Sequence, residues 1–392
     1  MDFRPAAIIA EYNPFHNGHE YHIKKTRELG ATHIAVIMSG NFVQRGDCAC
    51  FSSYTRAEAA LKCGADLVIQ LPLPWAMAPA ERFAMGAVSL ADSLGCIDML
   101  SFGSENGNID QISKAAELSE SESIRELLRT NLSKGMSYPS AYHSAMEMSS
   151  PDISELFSSP NDTLGLEYIR AINKIKSTIT PVCIKRQGDQ HDGSAPADRF
   201  ASASFIRKIL QTGNYVKYIP KSCRQNLMDQ IASQKAPFDI SRLETAMLYK
   251  LRSMSVEDIA ELPDISEGLE NRIYNAVRNS TNIDELISNI KSKRYTHARI
   301  RRILLYALLG IKKHHCEGLP PYIRILGINK NGRELLKQPR LPVVSRISDM
   351  SKLSEQAREI FDLELYSSDI FALAAPKPLE CGSEARHRLT IV

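Results

Sequence analysis

The sequence predicts an α/β fold with a doubly wound parallel sheet, followed by a mainly helical region. Two observations support this fold class. Short aliphatic runs alternate with amphipathic segments over the first hundred residues, with the period of about 30 residues typical of a strand–helix–strand unit. The chain of 392 residues is also long enough for a second region beside one such domain. Because strands joined through helices lie parallel, their carboxyl ends should surround one ligand-binding crevice.

The predicted elements follow the hydrophobic period along the chain. Residues 6–10 are a short apolar run and are predicted as the first strand. Residues 18–29 have a helical period that stops at Gly30, and residues 33–38 are predicted as a second strand. The alternation continues with a helix at 55–63, a strand at 66–71, a helix at 80–94 and a strand at 97–102.

The rest of the chain is predicted to be mostly helical. Residues 109–180 have helical character with Ser- and Pro-containing breaks, and residues 181–185 form one further strand. A helix is expected from about 202 to 210, helices again over 215–315, and a strand at 322–326. We therefore divide the chain into a sheet-forming domain over 1–215 and a mainly helical region over 216–392.

The composition excludes several classes of protein. The chain is 43% hydrophobic and 24% charged, as in ordinary globular proteins, and 48 Lys and Arg against 45 Asp and Glu leave a net charge of only +3. A nucleic-acid function would therefore depend on local basic patches. The eight cysteines include no CxxC pair, so we expect reduced thiols and no metal site. We find neither an export signal nor a membrane-spanning run, and expect a cytoplasmic protein.

Residues 15–19, between the first strand and the first helix, carry the residue types that bind phosphate. His16 and His19 stand three positions apart on the first helical turn, and Gly18 between them is expected to leave room for a ligand. Free helix N–H groups and two imidazoles suit a nucleotide phosphate, and imidazole donors can stabilise charge that develops on the α-phosphate. Two surface histidines on an ordinary helix start are the alternative.

The segment Phe-His-Asn-Gly-His over 15–19 resembles the His-x-Gly-His signature of the nucleotidylyl transferase superfamily. A wider set of segments resembles the tRNA(Met) cytidine acetate ligase family, and these segments are residues 10–19, 38–46, 101–105, 160–165 and 184–186. The resemblance covers essentially the whole chain and is strongest over residues 6–210. It implies a nucleotidylyl transferase-like domain of HUP or Rossmann-like type for the first 215 residues.

The resemblance also implies a reaction in two steps. ATP and acetate would form acetyl-adenylate and pyrophosphate, and the acetyl group would then pass to N4 of the wobble cytidine of elongator tRNA(Met), giving N4-acetylcytidine. The chemistry is reasonable, because the cytosine amine is a poor nucleophile and requires an activated acyl donor. Mg²⁺ is expected to accompany ATP, although the sequence offers no dedicated carboxylate cage, and Glu105 and Asp162 are the weak candidates. We infer no obligate protein partner.

The resemblance implies site residues by position. His16 and His19 would be the catalytic pair that serves the phosphates. The ATP-binding residues would come from the loop after the first strand and from four later segments, and they are Ile8, Ile9, Ala10, Glu11, Tyr12, Asn13, Pro14, Phe15, Asn17, Gly18, Gly103, Asn161, Arg186, Ser204 and Arg207. Arg186 has the chemistry to hold two phosphate oxygens, with a surface ion pair as the alternative. Helix capping is the alternative for Asn161 and for the segment that begins at Ser202.

A basic segment over 291–302, extended to 312–315, predicts contact with an RNA backbone because it contains no acidic residue. The tRNA-binding residues proposed from it are Lys293, Arg294, Arg299, Arg301 and Arg302, with Tyr295 available for stacking. A solvated charged face is the alternative. Arg45, after the second strand, could steer acetate or the anticodon loop.

Two other functions fit the same features. One is an adenylyltransferase that acts on a small phosphorylated metabolite. The other is a non-catalytic RNA-binding protein with a vestigial nucleotide site, although the presence of both His16 and His19 counts against it.

Overall fold

The computed structural model describes residues 3–136, 138–150, 156, 159–187, 199–266, 268–292 and 295–392. Its strands, numbered in chain order, are β1 (Pro5–Ala10), β2 (His33–Ser39), β3 (Phe42–Val43), β4 (Asp47–Cys48), β5 (Leu67–Leu71), β6 (Met99–Ser104), β7 (Thr180–Lys185), β8 (Ile323–Ile328), β9 (Val343–Val344) and β10 (Thr390–Ile391). Its helices are α1 (Asn17–Glu28), α2 (Ser53–Lys62), α3 (Leu73–Ala76), α4 (Ala80–Ser93), α5 (Ile109–Ser119), α6 (Glu122–Ser133), α7 (Tyr138–Ser149), α8 (Pro160–Ile175), α9 (Ala203–Ile209), α10 (Lys221–Ala232), α11 (Glu244–Arg252), α12 (Val256–Ala260), α13 (Leu269–Arg278), α14 (Ile283–Ile290), α15 (His297–Leu309), α16 (Glu355–Ala372) and α17 (Ser383–Arg386).

The central sheet has the strand order β10-β8-β5-β2-β1-β6-β7, with β9 beside β8. Strands β5, β2, β1, β6 and β7 are parallel, which confirms the predicted doubly wound parallel sheet. The sheet is buried on both faces: Ala7 and Ile9 of β1 join the hydrophobic core that contains α4 and α8, whereas Ala6 and Ile8 join the core that contains α1 and α2. Burial on both faces explains why these strands are continuous apolar runs.

The winding of the sheet reverses at β1, which has β2 on one side and β6 on the other. The chain proceeds from β1 through β2 to β5, and then returns to β6 and continues to β7. The connections that leave the carboxyl ends of β1 and β6 therefore diverge and leave a crevice between them. This crevice lies where the sequence predicted a ligand.

The carboxyl-terminal part of the chain completes the same sheet. Strand β8 runs antiparallel to β5, and β9 and β10 are parallel to β8. The strand predicted at 322–326 is present, but the prediction did not place it in the central sheet. The division proposed at residue 215 therefore does not coincide with an edge of the sheet. By pairing with β5, β8 covers an edge that would otherwise expose unpaired backbone groups.

A buried ion-pair network holds β8 to distant helices. The guanidinium of Arg324 pairs with Glu364 of α16 at 2.6 Å and with Glu384 of α17. The hydroxyl of Tyr54 on α2 donates to Glu384 at 2.6 Å. Because each buried charge has an opposite partner, the network connects three distant parts of the chain without an isolated charge.

Helices α11 to α15 form a third hydrophobic core that also contains residues of the sheet domain, namely Phe42, Cys48, Leu73 and Met77. The helical region therefore packs directly on the hairpin of β3 and β4 and on α3. In the described part of the chain, every helix is too short or too polar to cross a lipid bilayer. All eight cysteines are free, in agreement with the predicted thiols.

Candidate active site

Connections from four parts of the fold approach the crevice. The first runs from Glu11 to His16, between β1 and α1. Two more follow β6 and β7 and carry Glu105 and Arg186. The hairpin of β3 and β4 is tied to the first connection, because Gln44 N donates to Glu11 Oε1 at 3.1 Å.

The two histidine side chains are hydrogen-bonded to the backbone at the first turn of α1. His16 is the N-cap residue, and its Nδ1 accepts from Gly18 N at 3.0 Å. His19 Nδ1 accepts in turn from His16 N at 3.2 Å. In a neutral imidazole, an accepting Nδ1 assigns the proton to Nε2. Each ring therefore has an Nε2–H donor left for a ligand.

Both imidazoles are neutral at pH 7. Burial, and next the positive charges of Arg186 and Arg207, lower the pKa of His16 to about 3. Burial is also the main reason why the pKa of His19 lies well below its usual value. The pair therefore supplies hydrogen-bond donors rather than positive charges in the ligand-free protein.

The structure shows a packing reason for Gly18. A Cβ atom at this position would lie 2.9 Å from Cε1 and 3.1 Å from Nδ1 of His16. The missing side chain thus leaves room for the ring of His16, and the predicted contact of Gly18 with ATP stays a prediction. The glycine allows the capping imidazole to fold over the helix start.

Arg56 of α2 holds the loops of the crevice in place. Its side chain is fully buried and donates to four backbone carbonyl oxygens in three segments of the chain. The acceptors are Glu11 O at 2.5 Å, Ser39 O and Phe51 O at 3.0 Å each, and Gly40 O. Burial lowers its pKa to about 10, so the group stays charged at pH 7. Arg56 was not predicted as a site residue, because an arginine in an amphipathic helix has the pattern of a surface residue.

Arg207 also positions the loop after β1. Its Nη1 donates to Asn13 O at 2.8 Å, and Asn13 Oδ1 accepts from Cys50 N at 2.8 Å. Ser202 is the N-cap of α9, and its Oγ lies 3.2 Å from Ser204 Oγ. The capping alternative considered for this segment is therefore present, and Arg207 lies beside the loop that contains the histidines.

Glu105, Asn161 and Arg186 meet on the other side of the crevice. Asn161 Nδ2 donates to Glu105 Oε1 at 2.5 Å, and Arg186 Nε lies 3.8 Å from the same oxygen. Glu105 Oε2 is buried and has no hydrogen-bond partner among the residues that the structure describes. A Cβ at Gly103 would touch Arg186 Cγ at 3.4 Å, an ordinary contact. The fold thus brings together Gly103, Asn161 and Arg186, which the resemblance implied from three separate segments.

Several other predicted ATP-binding residues support the site. Asn17 Nδ2 donates to the carbonyl oxygens of Arg199 at 2.8 Å and Lys217 at 3.0 Å, so its amide joins two loops. Tyr12 and Phe15 are buried, and their rings pack against His19 with centroids 4.7 and 5.5 Å away. Ile8 and Ile9 have buried side chains, as does Pro14, while Ala10 ends the strand.

The basic segment differs from the expected uniform positive face. Arg302 is buried and its Nη2 pairs with Asp264 Oδ2 at 3.0 Å, and Arg299 donates to Asp264 O at 2.7 Å. Arg302 is therefore not an exposed contact for RNA, since the helix turns it toward an acid 38 residues away in sequence. Arg301 is exposed. Lys293 and Arg294 lie outside the described residues.

A cluster of metal-ligand type occurs away from the crevice loops. His314 and His315 both place Nε2 near Glu359 Oε1, at 3.0 and 2.9 Å. His315 Nδ1 accepts from Lys312 N at 2.9 Å, so in the neutral ring Nε2 carries the proton and donates to Glu359. A protonated Nε2 cannot bind a metal ion, so this cluster is better described as histidines hydrogen-bonded to Glu359 than as a set of metal ligands.

Comparison with known proteins places these features in a family. A family model described as HIGH nucleotidyl transferase matches residues 4–385. The tRNA(Met) cytidine acetate ligase of Thermoanaerobacter sp. (strain X514) is 38% identical, over 97% of this chain and 98% of that protein. The protein of the same name from Acetivibrio thermocellus is 35% identical, over 98% of this chain and 99% of its own.

Solved structures agree with these sequence relationships. Thermotoga maritima TmcAL bound with alpha-thio ATP is 30% identical and has a TM-score of 0.90, over 99% of this chain and 100% of that chain. The apo form of the same protein, also 30% identical, has a TM-score of 0.92 and covers all of both chains.

Proposed function

This chain belongs to the HIGH nucleotidyl transferase family, among the tRNA(Met) cytidine acetate ligases, and on that premise we propose that it is an ATP-dependent ligase that acetylates elongator tRNA(Met). In this proposal acetate and ATP give acetyl-adenylate and pyrophosphate, and the acetyl group passes to N4 of the wobble cytidine. Residues up to about 215 serve adenylation, and the helical region grips the tRNA.

One observation carries the proposal: the two Nε2–H donors of His16 and His19 lie together at the switch point of the sheet. In the first step an acetate oxygen attacks the α-phosphorus, and the bond to pyrophosphate breaks. Negative charge increases on the α-phosphate oxygens in the transition state. Preorganised donors stabilise this charge without reorganisation, and a neutral imidazole can donate without prior proton uptake.

Arg186 supports the same step from the opposite side of the crevice. Its side chain is 45% exposed and its Nε lies 3.8 Å from Glu105 Oε1, longer than a hydrogen bond. The guanidinium is therefore available to hold phosphate oxygens in pairs. Asn161 positions Glu105, which contacts the arginine.

The second step joins N4 of the cytidine to the acetyl carbon. The amine nitrogen attacks the carbonyl carbon, the bond to the AMP oxygen breaks, and the amine loses one proton. The nitrogen lone pair is delocalised into the pyrimidine ring, so attack requires a good leaving group, which AMP provides. AMP remains between the same donors as it departs.

Mg²⁺ would enter with the phosphates of ATP. Among the described residues the crevice contains no cluster of three carboxylates, but the buried and unpartnered Glu105 Oε2 fits a single protein ligand to an ion held mainly by phosphate oxygens. Such an ion would neutralise charge on pyrophosphate. The remaining steps depend on the protein groups described above.

For tRNA, four of the five residues that the basic segment suggested remain proposed contacts. Arg301 is exposed, and Arg299 is half-buried beside Tyr295 with its guanidinium 5.1 Å from the ring centroid. Lys293 and Arg294 complete the predicted set. Arg302 instead stabilises the fold through its ion pair with Asp264.

The deciding experiment measures pyrophosphate release from ATP with and without acetate and elongator tRNA(Met), followed by mass analysis of the nucleosides. We expect acetate-dependent release and N4-acetylcytidine in the tRNA. Replacing His16 by Asn, which keeps a capping oxygen, or His19 by Ala should slow the reaction by about 10²–10³-fold, as loss of one oxyanion donor does.

The matched control is His33→Ala, since His33 begins β2 at the amino-terminal end of the parallel strands, whereas the crevice lies at their carboxyl ends, and its replacement should not affect turnover. Release that is indifferent to acetate, without a modified nucleoside, would favour an adenylyltransferase for a phosphorylated metabolite. A protein that binds RNA but turns over no ATP would support the non-catalytic alternative.

A further inference from the structure

The hairpin of β3 and β4 connects the crevice to the helical region. At the crevice, Gln44 N donates to Glu11 Oε1 at 3.1 Å. Two residues further along the same turn, the buried Gly46 has φ +73° and lies directly against α15, where a Cβ would lie 2.7 Å from both Arg301 Cβ and Arg302 N. Any larger residue would separate the hairpin from the helix. The positions of its tip and of α15 are therefore fixed relative to the histidine site.

Two exposed arginines flank this contact. Arg45 is the hairpin residue between Gln44 and Gly46, and Arg301 is the α15 residue on which Gly46 rests. Neither side chain hydrogen-bonds or ion-pairs with any residue that the structure describes. By contrast, Arg299 and Arg302 on the same helix are both engaged by Asp264. Arg45 lies near Glu11 and Arg301 near Asp47, but both side chains are exposed, so the hairpin and helix present two cations to solvent.

We propose that the β3–β4 hairpin and the start of α15 form one RNA-backbone platform, in which Arg45 and Arg301 each contact a phosphate of the tRNA and direct the neighbouring cytidine into the crevice. This inference rests on the proposed function. It adds a surface outside the nucleotide crevice and assigns it to the second substrate. Below, the hairpin with the start of α15 is called the platform.

The charges around the platform favour the binding of a polyanion to its solvent-facing surface. Its carboxyl groups are turned inward: Glu11 accepts from Gln44 N, and Asp47 Oδ1 accepts from Cys48 N at 2.8 Å. Burial raises the pKa of both carboxyls, and the positive charges of Arg45 near Glu11 and of Arg301 near Asp47 act in the opposite direction. Arg207 lies near both acids but is committed in part to Asn13 O. The outward groups are therefore the two arginines, as phosphodiester binding requires.

The geometry also explains how one loop could position the substrates of both reaction steps. Glu11 belongs to the same short loop as His16, and the hairpin holds its carboxylate through Gln44. A backbone bound across Arg45 would place the adjacent base next to this loop. A phosphate contact fixes register without reading sequence, so the platform would position the base and leave recognition to other groups.

The test compares tRNA affinity over a range of salt concentrations for Arg45→Ala, Arg301→Ala and the double variant. The matched control is Arg333→Ala, because Arg333 is an exposed arginine without a described partner in the turn after β8, at the other edge of the sheet. Each platform substitution should lower the slope of log affinity against log salt by about 0.7–0.9, the value for one phosphate contact. Arg45→Lys should restore most of the slope, because a phosphate contact requires charge.

Each outcome has a distinct meaning. A double variant with the same tRNA affinity and slope as Arg333→Ala would overturn the platform. ATP affinity is measured on the same variants to identify the ligand of the two arginines. An equal loss of affinity for ATP and for tRNA would assign the arginines to the nucleotide site and would also overturn the platform. Wild-type protein that binds no tRNA would instead contradict the proposed function. Thermal unfolding of each variant verifies that the fold is retained.

Discussion

The imidazole rings of His16 and His19 are stacked, with centroids 3.7 Å apart and planes 23° apart. Each ring also accepts a backbone N–H of the first helical turn through Nδ1. The capping interaction and the stacking therefore orient both Nε2–H groups before any ligand arrives. Preorganisation of this kind reduces the cost of binding and of charge stabilisation.

Replacing Gly18 by Ala should damage the site without damaging the fold. The added Cβ would lie 2.9 Å from His16 Cε1 and must displace the ring. Misplacement of a reacting group by about 1 Å can cost about 100-fold in rate, whereas alanine is a better helix former than glycine. We expect a loss of acetate-dependent pyrophosphate exchange of that order with unchanged or slightly increased thermal stability. Wild-type exchange in this variant would show that the ring position is not critical.

Stability should fall on acidification, in part because of His22. Burial and the charge of Arg186 lower its pKa to about 4, and its Nε2 lies 2.9 Å from Ser101 Oγ. Since the folded pKa is below the unfolded value of about 6.5, the unfolded state binds the proton first. The stabilisation is present above pH 6.5 and decreases as the pH falls toward 4, by about 2 kcal/mol at pH 5.

Denaturant unfolding of the wild type and of His22→Gln at pH 7 and pH 5 measures this effect. The glutamine can still reach Ser101 but does not titrate, so its stability should depend less on pH. An identical pH dependence for the two proteins would mean that His22 does not carry the linkage.

Replacing Arg56 by Lys should destabilise the protein by about 2–4 kcal/mol. The lysine keeps the charge but cannot serve all the carbonyl oxygens that the guanidinium binds, and a buried acceptor without a donor costs about 1–3 kcal/mol. Urea unfolding measures the change. The control Arg125→Lys, at a half-exposed surface pair, should change stability by less than about 0.5 kcal/mol. Equal effects at the two positions would exclude a special role for Arg56.

Local patterns predicted much of the fold. The strands of the parallel sheet were placed within two residues, because a strand buried on both faces is a short apolar run whose limits are visible in the sequence. The start of α1 was predicted at residue 18, one residue after its observed start at Asn17. The place of β8 was not, since antiparallel pairing with β5 joins segments more than 250 residues apart and no local signal specifies that partner.

The candidate site shows the same distinction. Sequence and resemblance proposed His16, His19, Asn161 and Arg186. They did not predict that the ring of His16, which caps α1, occupies the space left by Gly18, or that Asn161 donates a hydrogen bond to Glu105. They also treated Arg302 as a surface cation, although it is buried on Asp264.

The sequence by itself determined the alternation of strands and helices, the position of the turn after β1 that contains His16, and the chemical class of the residues around it. These depend on hydrophobic period and on groups close together in the chain. Only the tertiary structure decided which charged groups are committed and which are available. A guanidinium can be buried only where remote segments supply oxygens, as they do for Arg56 and Arg302, whereas Arg45 and Arg301 meet none among the described residues and remain exposed.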